Sequence, residues 1–570
     1  MWRKRNGGIN TLEQYISSKH NKSVSDFLKE EKNYELRHIT EAVKFIKNYQ
    51  KEGKIFFLIT DYDVDGIMSM GILKIGLERY GCKVICRIPK RQSEGYGIRE
   101  SIIDEIPENA VIITADNGIS EYNSLKKASK RKIPCLITDH HLPPVGNMPP
   151  ADVIVNPRIY KGTFEFYCGA AIVYKIMEKL FPNGDVVLPL LKAYAAIATI
   201  ADRMPIIEDN RLIVKDGLEI LKENKGKITT GLKAIKAVLG ISDSISADTV
   251  AFQIAPLLNA AGRLEDDGAV KSFQTIIFNG SEDAALQMAE ELHAINEERK
   301  KIVANCMEQI QLPEKITYPI MVYQENVPEG IIGLIAAKLQ ETYKGPAFVF
   351  TNIEDGKMKG SARSNEVHIK HLMDNFNDLF VSYGGHEGAG GMTITAENFQ
   401  ILSDKMTEHL SDFKPDFNDY YDIEIDIKEL KNVLKDLQKF EPFGYGNELP
   451  IFRISNLSVT DNYRIIGKTK EHLKIQCDDE VSILCFKMAE DFLRCKSNKN
   501  NVTFEDLLRS EDKLKDVSIN LDFMGILEYN HFNGNTYAQM NAQKMQTHEE
   551  KKGTLLEKLK NKKEEKEKKL

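Results

Sequence analysis

The chain has 570 residues, 42% hydrophobic and 28% charged, with a formal net charge of −7. That composition excludes a disordered or fibrous chain, and the length predicts about three or four domains. No apolar run reaches the roughly 20 residues of a membrane helix. No apolar stretch follows the basic start Arg3-Lys4-Arg5, and the eight cysteines lie scattered without C-x-x-C spacing. A cytoplasmic protein without secretory signal, disulfides or structural zinc is therefore expected. The acidic balance argues mildly against a nucleic-acid partner. Phosphate contacts need only local cations, so a basic groove on an acidic surface is expected.

Residues 1–35 are polar and helix-prone, with a peripheral packing role. Arg37 to Gln50 has the spacing of an amphipathic helix leading into a buried strand, Ile55 to Thr60. That strand runs into Asp61, Asp63, Asp65 and Gly66, and an apolar helical pattern follows to Tyr80. Three carboxylates so close repel one another and raise one another's pKa, which points to a counter-cation. A hard divalent metal fits oxygen ligands of this kind. In open α/β sheets the ligand site lies beyond the carboxyl ends of the strands, where these acids stand. A strand at Lys83 to Ile88 opens onto the loop Pro89 to Gly97, whose Arg91 and Tyr96 are candidates to touch a phosphate and a base. Strand Ala110 to Ala115 ends in Asp116-Asn117-Gly118, and strand Pro134 to Thr138 in Asp139-His140-His141. Ala195 to Ala201 reads as a buried helix ending at Asp202. One such ending is weak evidence of a site, but four in one domain are strong.

Strands and helices alternate to about residue 205, as in a parallel, doubly wound sheet. Residues 210–280 read as mainly helical, interrupted at Asn259-Ala-Ala-Gly-Arg263. One long helix is predicted over 281–311, with Leu286, Ala289, Leu292, Ile302, Val303 and Ile310 as its apolar stripe and His293, Asn296 and Arg299 as a polar face. A second α/β domain follows, with strands Ile320 to Tyr323 and Ala347 to Thr351. Gly360-Ser-Ala-Arg-Ser364 and Gly384-Gly-His386 read as small-residue turns, and backbone amides in such turns can cradle phosphate oxygens. Short strands between about 440 and 545 fit a small barrel of the OB type, which stacks bases on aromatics. Lys496 to Asp516 reads as an insertion, and the Lys/Glu-rich end as a solvated tail.

Asp61-Tyr-Asp63-Val-Asp65-Gly66, Asp116-Asn117-Gly118, Asp139-His140-His141 and Asp202 together resemble, in that order, the four motifs of the DHH phosphoesterase superfamily. Glu94-Gly-Tyr-Gly97, Ala198-Thr-Ile-Ala-Asp202, Asn259 to Arg263, Gly360 to Ser364, Gly384 to Gly391 and Pro442-Phe-Gly-Tyr-Gly-Asn447 narrow the resemblance to the RecJ-type exonucleases of that superfamily. The resemblance implies an α/β fold comprising a doubly wound DHH catalytic domain (36–280), a connecting helix (281–311), an α/β DHH-associated domain (312–412) and an OB-like barrel (413–545), flanked by residues 1–35 and a tail, 546–570. It implies metal-dependent hydrolysis of single-stranded DNA from the 5′ end to mononucleotides, in repair or recombination. The alternatives are a phosphodiesterase of short oligoribonucleotides or cyclic dinucleotides, and a non-catalytic replication scaffold. Asp63, Asp65, Asp116, His140 and Asp202 are then the ligands of Mn²⁺ or Mg²⁺. His141 is an electrostatic or general-acid group, and Arg263, Ser361, Arg363 and His386 grip substrate phosphates. Where pyrophosphatases of the superfamily carry a histidine, this chain has Ile59. Asp61 is the candidate substitute, and occupancy of a second metal site stays open. A monomer is expected, with single-stranded DNA, a single-strand-binding protein or a helicase as partners and no membrane.

Overall fold

Ile55–Thr60 (β1) has no polar side chain before Thr60 and is buried from Phe56 onward, the pattern of a strand covered on both faces. The computed structural model describes residues 2–29, 34–95, 97–160, 162–223, 227–241, 245–353, 355–498, 517–532 and 535–548. It places β1 in a five-stranded sheet with Lys83–Arg87 (β2), Ala110–Ala115 (β3), Cys135–Thr138 (β4) and Val153–Val155 (β5), in the order β2-β1-β3-β4-β5. Every pairing is parallel. Phe56, Leu58, Val111 and Ile113 enter one core with helices Ile39–Lys51 (α1), Val64–Arg79 (α2), Gly169–Leu180 (α3) and Leu188–Ala201 (α4). Phe57, Ile59, Ile112 and Ile137 enter a second core with Ile102 and Leu125. Two cores on two faces make the sheet doubly wound, as expected. Parallel strands bring their carboxyl ends to one edge, and the first residues beyond β1, β3, β4 and β5 are Asp61, Asp116, Asp139 and Asn156.

Asn259-Ala-Ala-Gly-Arg263 does not interrupt the helical region. It lies within Ala255–Leu264 (α5), because Leu257, Leu258, Ala260 and Ala261 form a continuous buried face; the π-turn Val250–Ile254 runs directly into α5, and Pro256 falls at that junction. The long helix is Glu282–Gln309 (α6). Ala289 and Leu292 of the expected stripe are buried, whereas Leu286 is 40% exposed.

Ile320–Tyr323 (β6), Ala347–Asn352 (β7), Lys357–Arg363 (β8), Ser382–Gly385 (β9) and Ala389–Thr395 (β10) form a second sheet, in the order β9-β10-β8-β7-β6. Helix Glu329–Tyr343 (α7) connects the one parallel pair, β6 and β7. The segment Gly360-Ser-Ala-Arg363, expected as a turn, is instead the end of β8. Its burial alternates as a strand's does, and Gly360 is small because Phe350 and Met392 fill the space: a Cβ there would lie 2.4 Å and 2.7 Å from them. Likewise Gly384 and Gly385 end β9, and only His386 starts the turn.

A separate unit gathers the described residues of the stretches 1–29, 418–441 and 448–570. Its strands are Phe452–Val459 (β11), Tyr463–Ile466 (β12), His472–Gln476 (β13), Val481–Cys485 (β14), Ile519–Phe532 (β15) and Asn535–Thr547 (β16). With Ile423–Glu424 at one edge they run in the order β11-β15-β16-β14-β13-β12, around a long bulged hairpin. The N-terminal segment belongs to this unit: Arg3–Lys4 pairs with Tyr420–Tyr421, and the Tyr15 hydroxyl donates to the Glu448 carbonyl at 3.1 Å. Tyr96, residues 499–516 of the expected insertion and residues 549–570 of the expected tail lie outside the described residues. No described helix is long and apolar enough to cross a membrane.

Candidate metal centre and cationic pocket

The edge of the first sheet is built from backbone outward. Asp63 caps α2, its Oδ1 accepting from the amides of Asp65 and Gly66 at 3.0 Å and 3.2 Å. Asp65 points the other way, onto the start of α3, where the amides of Gly169 and Ala170 donate to its two oxygens at 2.6 Å and 2.7 Å. A helix N-terminus suits a carboxylate, since the orphan amides and the dipole both favour negative charge. Asp116 sits in the left-handed region (φ 59°), so the chain turns sharply off β3 and presents its carboxylate at the sheet edge. Asp202 follows the last turn of α4.

These groups converge on His140. Its Nε2 lies 3.1 Å from Asp116 Oδ1, 3.6 Å from Asp202 Oδ2 and 3.7 Å from Asp65 Oδ2. Donor atoms of Asp65, His140 and Asp202, of Asp61, Asp63 and Asp116, and of Asp116, His140 and His141 form three overlapping groups, each within 4.8 Å. Burial, and then the neighbouring carboxylates, raise the pKa values of Asp61, Asp65, Asp116 and Asp202. Burial and the charge of His141 push His140 down to about 3, so its imidazole is neutral and offers a lone pair. Asp61 Oδ1, Asp202 Oδ2 and His140 Nδ1 are buried and find no hydrogen-bond partner among the described residues. Clustered acids, a neutral imidazole and orphaned oxygens fit divalent cations, which would relieve the mutual repulsion.

Asp139, the first residue of its motif, turns away from this centre and holds the turn. Its Oδ1 accepts from the amides of His140 and His141 at 2.7 Å and 3.1 Å, and its Oδ2 from the Ile119 amide at 2.9 Å. Burial opposes a charged His141, but the bond from its Nδ1 to Asp139 (2.8 Å), with Asp202 and Asp61 nearby, lifts its pKa to about 9. His141 is thus a half-exposed cation beside a neutral His140.

Gly66 sets the backbone here: a Cβ would stand 2.1 Å from the Asp61 carbonyl oxygen. Gly66→Ala is therefore expected to displace the acidic loop and weaken Mn²⁺ binding at least ~10-fold, the scale of lost ligand support. Calorimetric titration with Mn²⁺, beside a circular dichroism spectrum showing the fold retained, checks this.

Arginines gather beside the acids. Arg91 stacks on the Tyr62 ring at 4.8 Å, and Arg263 donates to the Gly330 carbonyl at 2.8 Å. Arg363 donates to Ser361 Oγ at 3.0 Å and to the Ala362 carbonyl at 2.7 Å. Burial and the charges of Arg91, Arg299 and Arg363 pull the Arg263 pKa down to about 9. Burial and Arg91 lower Arg363 as well. Burial, then Arg363 and His368, lower His386, which also feels His141. Among the described residues no acid forms an ion pair with any of the four arginines, and Glu387 does not hold Arg363. A concentration of partly buried, repelling guanidinium groups is stabilised by an anion, and phosphate matches their geometry.

The structure thus brings together Asp61, Asp63, Asp65, Asp116, His140, His141 and Asp202, and beside them Arg91, Arg263, Ser361, Arg363 and His386. Three contributors escaped the sequence reading. Arg299 was assigned to a polar face. Asn156 donates to the His141 carbonyl at 2.9 Å, and Arg158 adds its charge near His140 and Asp202. A short apolar run before Asn156, Val153-Ile154-Val155, was the signal for a further strand ending at the same edge.

Comparison with known proteins gives matches along most of the chain. Residues 55–201 match the DHH family, N-terminal domain; 314–412 match the DHHA1 domain; and 421–544 match the RecJ OB domain. The single-stranded-DNA-specific exonuclease RecJ of Salmonella typhimurium is 30% identical over 413 residues, covering 66% of this chain and 70% of that protein. Its namesake from Bacillus subtilis is 31% identical over 471 residues, 79% of this chain, and the match spans 58% of that longer relative. In fold, the crystal structure of RecJ in complex with Mn²⁺ from Thermus thermophilus matches with a TM-score of 0.75 over 94% of this chain and 75% of that one, at 23% identity. A crystal structure of exonuclease RecJ bound to manganese matches with a TM-score of 0.57 over 67% of this chain and 96% of that one, at 27% identity.

Proposed function

Since the chain belongs to the RecJ family, we propose that it is a metal-dependent exonuclease that degrades single-stranded DNA from the 5′ end, releasing mononucleotides. The observation that carries this reading is the juxtaposition of a buried acid–histidine cluster with four arginines that form no ion pair among the described residues. Mn²⁺ or Mg²⁺ ions held by Asp63, Asp65, Asp116, His140 and Asp202, with Asp61 in reach, would supply charge neutralisation and water activation. The protein's own part is to place the phosphodiester. Arg263, Arg363 and Ser361 hold the terminal 5′ phosphate, and His386 lies within their field. Arg91 and His141 face the next phosphate. Water attacks that phosphorus, the bond to the 3′ oxygen of the terminal nucleotide breaks, and protonated His141 supplies the proton to the departing oxygen. The remaining strand keeps a new 5′ phosphate and re-enters the pocket, which favours repeated cleavage. The OB-type unit offers a surface for the rest of the strand. A helicase or single-strand-binding protein would deliver such strands in repair or recombination.

Digestion of single strands labelled at either end tests the reading. With Mn²⁺, a 5′ label is expected to appear as mononucleotide from the first turnover, while a 3′ label passes through a ladder of shortening strands and duplex stays intact. The reverse pattern of labels refutes the polarity, and inactivity on every strand refutes the enzyme.

A further inference from the structure

We propose that Asp266 is a positioning residue that fixes Arg91 in the phosphate pocket by clasping its loop to the end of α5; this rests on the reading of Arg91 as a phosphate contact. Arg91 is the cation common to the site: it stacks on Tyr62, lowers the pKa of Asp61, and repels both Arg263 and Arg363. It is carried on the connection that follows β2, whose described residues belong to no strand. The amides of Glu94 and Gly95 close this loop on the Lys90 carbonyl at 3.0 Å and 3.1 Å, but the guanidinium it bears is pushed at by two others, and side-chain contacts supply the rest of its support.

Two carboxylates hold it. Glu94 acts from within, accepting from the Lys90 amide at 2.7 Å and pairing with Arg87 on β2. Asp266 acts from across the site, 174 positions away in the chain from Gln92. Its Oδ1 accepts from the amides of Gln92 and Ser93 at 2.9 Å and 3.0 Å, and its Oδ2 from the Ser93 hydroxyl at 2.6 Å. Gln92 Nε2 reaches the Leu264 carbonyl at 3.3 Å. Both oxygens of Asp266 are therefore spent on the two residues directly after Arg91, and Asp266 itself stands three residues after Arg263. The clasp ties the two arginines to one short piece of backbone, so their separation is fixed although they repel. A carboxylate accepting backbone amides in this way is stronger than a neutral acceptor. Asp266 touches no reacting atom, and its role is exercised through Arg91.

The expected result is a split in the kinetics. Asp266→Ala raises KM for a 5′-phosphorylated single strand about 10-fold, with kcat within about twofold of wild type, the signature of lost binding rather than lost chemistry. Asp266→Asn, which keeps an oxygen for the amides, recovers part of the loss. In an Arg91→Ala background, Asp266→Ala adds nothing, since there is no guanidinium left to place. An unchanged KM in Asp266→Ala, a loss that remains as large in the Arg91→Ala background, or equal falls in kcat and kcat/KM overturns the proposal. If Arg91→Ala alone leaves KM untouched, the phosphate reading of Arg91 fails instead.

Discussion

Asp116→Asn is expected to lower kcat/KM on single-stranded DNA more than about 1,000-fold, a barrier increase of ~4 kcal/mol. Asparagine is the informative substitution because Asp116 occupies the left-handed region (φ 59°), which asparagine tolerates and alanine does not. The change removes charge while keeping shape. Asp116 also sits in two of the three donor groups, and its Oδ1 lies 3.1 Å from His140 Nε2, a member of the third, so its loss reaches all three. The fold should survive, because without metal the wild-type carboxylate is a burden: burial and the charges of Asp65, Asp63, Asp61 and Asp202 all disfavour its ionised form. Metal-free variant protein is therefore expected to melt no lower than metal-free wild type. Mn²⁺ should raise the wild-type Tm, by ~2.7 kcal/mol of stabilisation at a hundredfold excess over Kd, and leave the variant's nearly unchanged. Thermal melts with and without Mn²⁺, beside initial rates, check both halves. Retention of more than about a tenth of the wild-type rate, ~1.4 kcal/mol, would remove Asp116 from the metal site.

The second large effect concerns the choice of strand end. Arg363→Ala is expected to cost about 1.5–3 kcal/mol of charge-assisted hydrogen bonding, roughly a ten- to hundredfold loss of affinity. The loss should fall on 5′-phosphorylated strands and not on 5′-hydroxyl strands, erasing the preference between them. Arg363 contributes little to the fold by its charge, since among the described residues its side chain bonds the hydroxyl of Ser361 and the carbonyl of Ala362 and forms no ion pair. Removing it also relieves repulsion from Arg91, so Tm should hold or rise. Equal losses on both strands together with a lower Tm would make Arg363 a structural residue.

The metal centre was legible because its signal is local. Each candidate ligand stands at the first turn after an apolar run, and a run such as Ala110–Ala115 ending in Asp116 puts a charge where a buried strand meets the sheet edge. The arginine pocket was legible only through resemblance. Arg363 ends an alternating strand that looked like a turn because Gly360 makes room for Phe350, a fact carried by a residue ten positions away. Arg299, His293 and Asn296 share the spacing of any solvated helix face. What distinguishes Arg299 is its neighbour Arg263, which the chain supplies from another helix. Asp266 is one acid among 84 Asp and Glu residues, and nothing near it in sequence names Ser93 as its partner.

The approach of Gly330 to Arg263 has a mechanical meaning. A Cβ on Gly330 would lie 2.4 Å from the Arg263 carbonyl oxygen and 2.8 Å from its Cα, so here main chain rests on main chain. Joints made of side chains slide as rotamers change; a joint of this kind does not. Arg263 is anchored at that seam by its backbone, so the place of its Cα is set by main chain and not by rotamer choice. If Arg263 holds the strand's terminus as proposed, such a seam would act as a ruler: the scissile bond would fall the same number of nucleotides from the end whatever the sequence, and the product would have one length.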